Sequence, residues 1–218
     1  MAQLKKVVVD VIVPVGRTGW TTQGLARCLR AIAAQDARFS WRVVVIDGSR
    51  TGVVEAIARQ AVPAERLIYE PLYLRTCFPS DLLYQGVGCT KAAYLTYARE
   101  GREWGRDHLR VMVGGLRQSK SDVVVRGGMC VSHDHVADLI EANVDPCAGG
   151  DVLHTAAILD LSCGWPRSRG AGFEADVWRS MYLAGAEFFA LTPPALAAAP
   201  TPDSTPVAGR QMMLFPDA

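Results

Sequence analysis

Two short stretches set polar side chains directly behind apolar runs. Pro14-Val15-Gly16-Arg17-Thr18 follows "VVVDVIV", and Asp47-Gly48-Ser49-Arg50 follows "WRVVVI". Groups of this kind, beyond the carboxyl ends of strands, are where open α/β sheets bind ligands. Glu174-Ala175-Asp176 puts two carboxylates in the first turn of a helical segment, where acids complement the helix dipole. Arg126-Gly127-Gly128 and His133-Asp134-His135 complete the candidates. The six cysteines (Cys28, Cys77, Cys89, Cys130, Cys147 and Cys163) lack the CxxC and CxxC…HxxxH spacings, which argues against a zinc site and a disulfide framework. Reduced thiols of a cytoplasm are the plain reading.

The elements that must carry these residues follow from periodicity. Residues 7–15, "VVVDVIVPV", form a nearly unbroken β-branched run, the pattern of a strand covered on both faces in a parallel sheet. In "TTQGLARCLRAIAAQD", Leu25, Cys28, Leu29, Ile32 and Ala33 recur at i, i+3, i+4, i+7 and i+8, the stripe of an amphipathic helix. "WRVVVIDGSR" predicts a second strand, "GVVEAIARQA" a second helix and "RLIYEP" a third strand, a doubly wound start. Residues 72–106 read as an aromatic-rich insertion with a helix near Thr90–Gly101. Beyond it, "SDVVVR" predicts a strand, "SHDHVADLIEAN" a helix and "HTAAILDLS" a strand. "FEADVWRSMYLAG" predicts a helix closed by Gly185 at its C′ position, and "AEFFAL" a final strand.

With 218 residues, half of them apolar, the chain has ample material for one core, placed at residues 1–192. Residues 193–218 are rich in Pro, Ala, Thr and Ser and read as a disordered tail. A net charge of +1 excludes binding of polyanions by bulk charge, although cations outnumber carboxylates between residues 91 and 126. No stretch reaches the ~18 apolar residues of a membrane span, so no membrane association is expected.

At "VDVIVPVGRTGWTTQGLARCLRAIAAQDARFSWRVVVIDGSR" the chain resembles the family 2 glycosyltransferases of the GT-A fold. Val13-Pro14-Val15, Ala34-Gln35 and Asp47-Gly48-Ser49 carry the match, with Ile46 in place of a second family aspartate. "GLRQSKSDVVV" resembles the family segment before the metal site, and "FEADVWRSMYLAG" its Glu-Asp-x-Asp-Leu-x-x-Arg helix. The resemblance implies a GT-A-like, Rossmann-like, mostly parallel sheet flanked by helices. It also implies a nucleotide-sugar donor, a UDP-sugar first among them, held by Pro14, Val15, Gly16, Arg17, Asp47 and Ser49. Glu174 would be the general base on the acceptor hydroxyl, with Asp176 beside it. Trp165, Arg167 and Arg169, in the Gly-rich loop before that helix, would contact the acceptor.

The family carries a metal-binding Asp-x-Asp after its fourth strand, and none stands in the stretch that matches it, "VVVRGGMCVSHDH". A diphosphate leaving group still needs its charge stabilised, by a metal or by fixed cations and N–H donors. Three readings follow: Arg126 as a permanent cation with Gly127 and Gly128 allowing close backbone approach, His133, Asp134 and His135 as a shifted metal site, or a non-catalytic binding module. The first is favoured, because His133 and His135 at a helix start do not share a face.

The tail ends in Gln211-Met212-Met213-Leu214-Phe215, which resembles the Gln-x-x-Leu-Phe peptide that holds the bacterial DNA polymerase sliding clamp. The alternative is that Leu214 and Phe215 fold back on the domain. Together the two resemblances imply a bacteriophage-type enzyme of the host cytoplasm that glycosylates a hydroxymethylated pyrimidine in DNA, tethered through Gln211, Leu214 and Phe215. A small-molecule, lipid or peptide acceptor is the alternative.

Overall fold

The structure, a computed structural model, describes residues 7–73, 78–102, 104–129, 132–142, 144–148, 150–165 and 173–191. Residues 193–218, with Gln211, Leu214 and Phe215, therefore lie outside the described residues, as do Arg167 and Arg169. Seven strands form one sheet: β1 (Val7–Val15), β2 (Ser40–Asp47), β3 (Leu67–Pro71), β4 (Tyr94–Tyr97), β5 (Val123–Arg126), β6 (Asp151–Thr155) and β7 (Phe188–Leu191). Their spatial order is β3-β2-β1-β4-β6-β5-β7, and β6 alone runs antiparallel to its neighbours. The helices are α1 (Thr22–Ala33), α2 (Val53–Ala61), α3 (Pro79–Gly88), α4 (His108–Ser119), α5 (His133–Glu141), α6 (Ala156–Leu161) and α7 (Phe173–Leu183).

Alternation along the strands divides the core into two layers. Val9, Val11, Val13 and Val15 of β1 pack with Leu25, Leu29 and Ile32 of α1, Val54 and Ile57 of α2, and Met112 and Leu116 of α4. On the other face, Ile12 of β1 and Val44 and Ile46 of β2 belong to the layer of Leu82 and Leu83 of α3, Val136 of α5, Ile158 of α6, and Val177 and Met181 of α7. Burial on both faces is why β1 and β2 read as unbroken apolar runs. Asp10 interrupts β1 at no exposure, and its carboxylate is fully engaged. Arg42 Nε and Nη2 donate to it at 2.9 and 2.8 Å, and the N–H groups of Lys91 and Ala92 at 3.1 and 3.2 Å.

Three expectations are corrected. The segment read as an insertion supplies α3 and then β4, which pairs with β1 on one side and β6 on the other, at the middle of the sheet. The helix expected near Thr90–Gly101 is therefore a strand. Tyr94 and Tyr97 are spaced equally well for a helix face, but Leu95 and Thr96 between them are buried, and the Thr96 hydroxyl donates to the Val152 carbonyl at 2.6 Å. The strand expected at "HTAAILDLS" ends at Thr155, whose hydroxyl accepts from the Ile158 N–H at 3.2 Å and caps α6. By contrast, α7 stops as read: Gly185 has φ +88°, a conformation that favours glycine, and the Ala186 N–H donates to the Met181 carbonyl.

Candidate active site

The parallel strands bring Val15, Asp47 and Tyr97 to one edge of the sheet. Two cavities open at this edge. One, of about 470 Å³, is lined by the loop from Val13 to Trp20 together with Pro79 and Leu82 of α3 and Glu100. The other, of about 310 Å³, is lined by Tyr97, Arg102, Asp145, Asp151, Trp165 and Trp178 among others. Leu83, Arg99 and Glu174 line both.

The loop after β4 decides the character of this site. The Ala98 N–H extends the strand pairing by donating to the Ile12 carbonyl at 2.9 Å, and the chain then turns outward through Arg99 and Glu100. The Arg99 guanidinium forms an ion pair with the Glu174 carboxylate at the start of α7. Partial burial pulls the Arg99 pKa below its ordinary value, the neighbouring Arg102 adds to this, and Asp145 opposes it. Asp145 is itself pushed up by burial, against the Cys147 N–H and Arg99. Glu100 faces the opposite wall, accepting from the Thr21 N–H at 2.7 Å and the Thr21 hydroxyl at 2.5 Å. It thereby supports the N-terminus of α1, where Thr21 accepts from the Gly24 N–H.

A buried hydrogen-bonded chain forms the floor of the second cavity. Trp165 Nε1–H donates to the Tyr97 hydroxyl at 2.7 Å, which in turn donates to His154 Nε2 at 2.7 Å. His154 Nδ1–H donates to the Thr155 carbonyl at 2.8 Å, so the ring is neutral with its proton on Nδ1. Burial lowers the His154 pKa to about 4, and raises that of the Tyr97 phenol. Trp178 packs edge-on against Trp165 and Tyr97. Trp165, at the start of the Gly-rich segment, is buried and held.

Of the residues expected at the donor site, Pro14, Val15, Gly16 and Arg17 line the larger cavity. Asp47 lies beside Val15 in register but lines a separate hollow of about 120 Å³ with Arg50, Tyr69 and Tyr73. Its two carboxylate oxygens accept from the Ser49 N–H at 2.7 Å and the Tyr69 hydroxyl at 2.5 Å, while the Ser49 hydroxyl meets that of Thr51. Glu174 reaches both cavities, whereas Asp176 is exposed and lines neither.

The Arg126 expectation does not match its placement. Arg126 lines neither of the two larger cavities. It donates to His108 Nδ1 at 3.3 Å, and His108 stacks on Trp104 with ring centroids 4.2 Å apart. Gly128 does make a close backbone approach, but to Gly150: a Cβ on Gly150 would lie 2.7 Å from the Gly128 nitrogen. Gly127 has φ +72°, so it serves the turn. His133 Nδ1 accepts from the Phe188 N–H at 3.2 Å, and no group of three metal-ligating side chains occurs among the described residues.

The register of the metal motif is corrected as well. The fourth strand is Tyr94–Tyr97, so the segment after it is Ala98-Arg99-Glu100 and not the one after Val123–Arg126. That segment does not suit a divalent cation: Ala98 offers no donor, Arg99 is cationic, and Glu100 is engaged by Thr21. Arg99, Arg102, Asp145 and Tyr97 were missed in the sequence. Reading "YLTY" as a strand would have placed Arg99 at the sheet edge.

Neither a protein-family model nor a curated protein sequence matches the chain. Solved structures do. TarS of S. aureus, including its complex with UDP-GlcNAc, superposes with a TM-score of 0.65 at 16% identity over 85% of this chain. The mannosyltransferase PcManGT from Pyrobaculum calidifontis, in complex with GDP-Man and Mn2+, superposes with a TM-score of 0.64 at 20% identity over 88% of this chain. The matches cover 56% of each of those chains, so the present chain spans little more than half their length. Among the described residues no helix is long and apolar enough to cross a membrane. What the superpositions establish is architecture: this chain has the GT-A fold.

Proposed function

We propose that this domain transfers a sugar from a nucleotide sugar, a UDP-sugar in the first instance, to a hydroxyl acceptor. The observation that carries the proposal is the position of Glu174 on the wall common to both cavities. A donor in the cavity of Pro14–Arg17 and an acceptor in the cavity of Tyr97 and Trp165 would meet at this carboxylate. The acceptor oxygen attacks the anomeric carbon, Glu174 takes its proton, and the bond to the diphosphate breaks with its electron pair leaving on the diphosphate oxygen. The donors named in the structures of TarS and PcManGT, UDP-GlcNAc and GDP-Man, support the substrate class.

For the acceptor we favour a hydroxymethylated pyrimidine in DNA. The support is in the sequence: the clamp-type peptide around Gln211, Leu214 and Phe215, behind a Pro-rich linker, would bring a nearly neutral protein to newly replicated DNA in the cytoplasm. The base would be flipped into the acceptor cavity, against Trp165, with Arg167 and Arg169 on the adjoining segment. Incubation with radiolabelled UDP-glucose or UDP-GlcNAc and hydroxymethylated DNA is expected to label that DNA and not unmodified DNA. Label on a small molecule, lipid or peptide instead would replace the acceptor. Failure of every nucleotide sugar to stabilise the fold thermally would point to a non-catalytic module. Capture on immobilised sliding clamp, lost in Leu214→Ala/Phe215→Ala, tests the tether.

A further inference from the structure

Resting on that nucleotide-sugar reading, we infer that Arg99 takes the place of a divalent metal at the donor diphosphate, and that its ion pair with Glu174 is a latch opened by donor binding. The location comes first. Arg99 stands two residues beyond the end of the central strand β4 and is one of three residues lining both cavities. The diphosphate of a donor lying along Pro14–Arg17 with its sugar toward Glu174 must pass this point.

The donor set comes second. In the segment Ala98-Arg99-Glu100 the one carboxylate, that of Glu100, already accepts two hydrogen bonds from Thr21. It presents instead a guanidinium, whose fork of N–H donors matches phosphate oxygens and whose charge does not depend on a bound ion. Arg102 on the acceptor side and Arg17 on the donor side give the edge further positive charge.

The latch follows from competition for one cation. The Arg99 side chain is half-exposed while paired with Glu174, so an incoming diphosphate reaches it without unfolding any element. A diphosphate carries more charge and more acceptor oxygens than one carboxylate, and it draws Arg99 toward the donor cavity. Glu174 is then released to take the acceptor proton only when a donor is in place.

The test is calorimetric titration of UDP, and separately GDP, into the full chain in EDTA and in MnCl2. Wild-type affinity for UDP is expected to agree within about twofold between the two. Arg99→Ala should weaken it by about 10- to 100-fold, the range of a charge-assisted hydrogen bond. Arg99→Lys, which keeps the charge without the fork and guards against misfolding, should weaken it less. Glu174→Gln should tighten UDP binding several-fold, because the competing carboxylate is gone. Strict dependence on Mn2+, or unchanged affinity in Arg99→Ala, overturns the role of Arg99 and leaves glycosyl transfer standing. Unchanged or weaker binding in Glu174→Gln overturns the latch. No binding of either nucleotide in either buffer removes the nucleotide-sugar reading and this inference with it.

Discussion

The Tyr97 hydroxyl accepts from Trp165 Nε1–H and donates to His154 Nε2, each across 2.7 Å, so that one oxygen joins the end of β4 to β6 and to the segment leading toward α7. Tyr97→Phe leaves a buried indole N–H and a buried imidazole nitrogen without partners at once. It is expected to cost about 1–3 kcal/mol, read by urea denaturation. Trp165 fluorescence should change as its anchor is lost.

Acid should destabilise the fold in a defined window. Burial holds His154 at about 4 against 6.5, and holds His108 at about 4, where Asp151 opposes the shift and Arg126 adds to it. The unfolded chain therefore takes up protons first as pH falls. Stability from these groups is complete above about pH 6.5, declines toward pH 4, and levels off below. The expected slope is about 1.4 kcal/mol per pH unit for each histidine within the window. Urea midpoints between pH 7 and pH 4 measure it, and His154→Gln should remove that residue's share.

The Asp10 carboxylate holds Arg42 and two N–H groups of the turn before β4. Asp10→Ala removes their common acceptor, leaving the buried Ala92 N–H unpaired and the partly exposed Arg42 without its ion pair. A loss of about 1–3 kcal/mol is expected, visible as a lowered melting temperature. Because Asp10 lines neither of the two larger cavities, UDP affinity should be retained wherever the variant remains folded.

Glu174→Gln keeps the shape of the shared wall and removes the base. Sugar transfer is expected to fall by about 10²- to 10⁴-fold while the melting temperature stays close to wild type. Asp176→Asn, at an exposed position, should retain most activity. Equal losses in the two variants would return Asp176 to the chemistry.

What could be read in the sequence followed the length and regularity of each element. β1 and α1 were legible because a nearly unbroken β-branched run over nine residues and an apolar stripe along a 12-residue helix leave one period each. β4 was not, since four residues with tyrosines at both ends fit two periods equally. That single ambiguity displaced the site: with "YLTY" misread, the segment after the fourth strand was sought at Arg126 instead of Arg99. Pro14–Arg17 and Glu174 stand out as candidates because they adjoin long, regular elements. The partners of Asp47 and Trp165 were hidden, because Tyr69 and Tyr97 lie 22 and 68 residues away and only the sheet brings them together.

Glu100 occupies the space that a Cβ at position 24 would fill, in contact with its carboxylate and side-chain carbons. Gly24 is helical here, so the requirement is one of volume and not of backbone conformation. Positions 24 and 100, distant in the chain, thus form a single inherited choice. A side chain at 24 therefore obliges the Glu100 side chain to swing aside, and the hydrogen bonds by which it holds Thr21 at the start of α1 go with it.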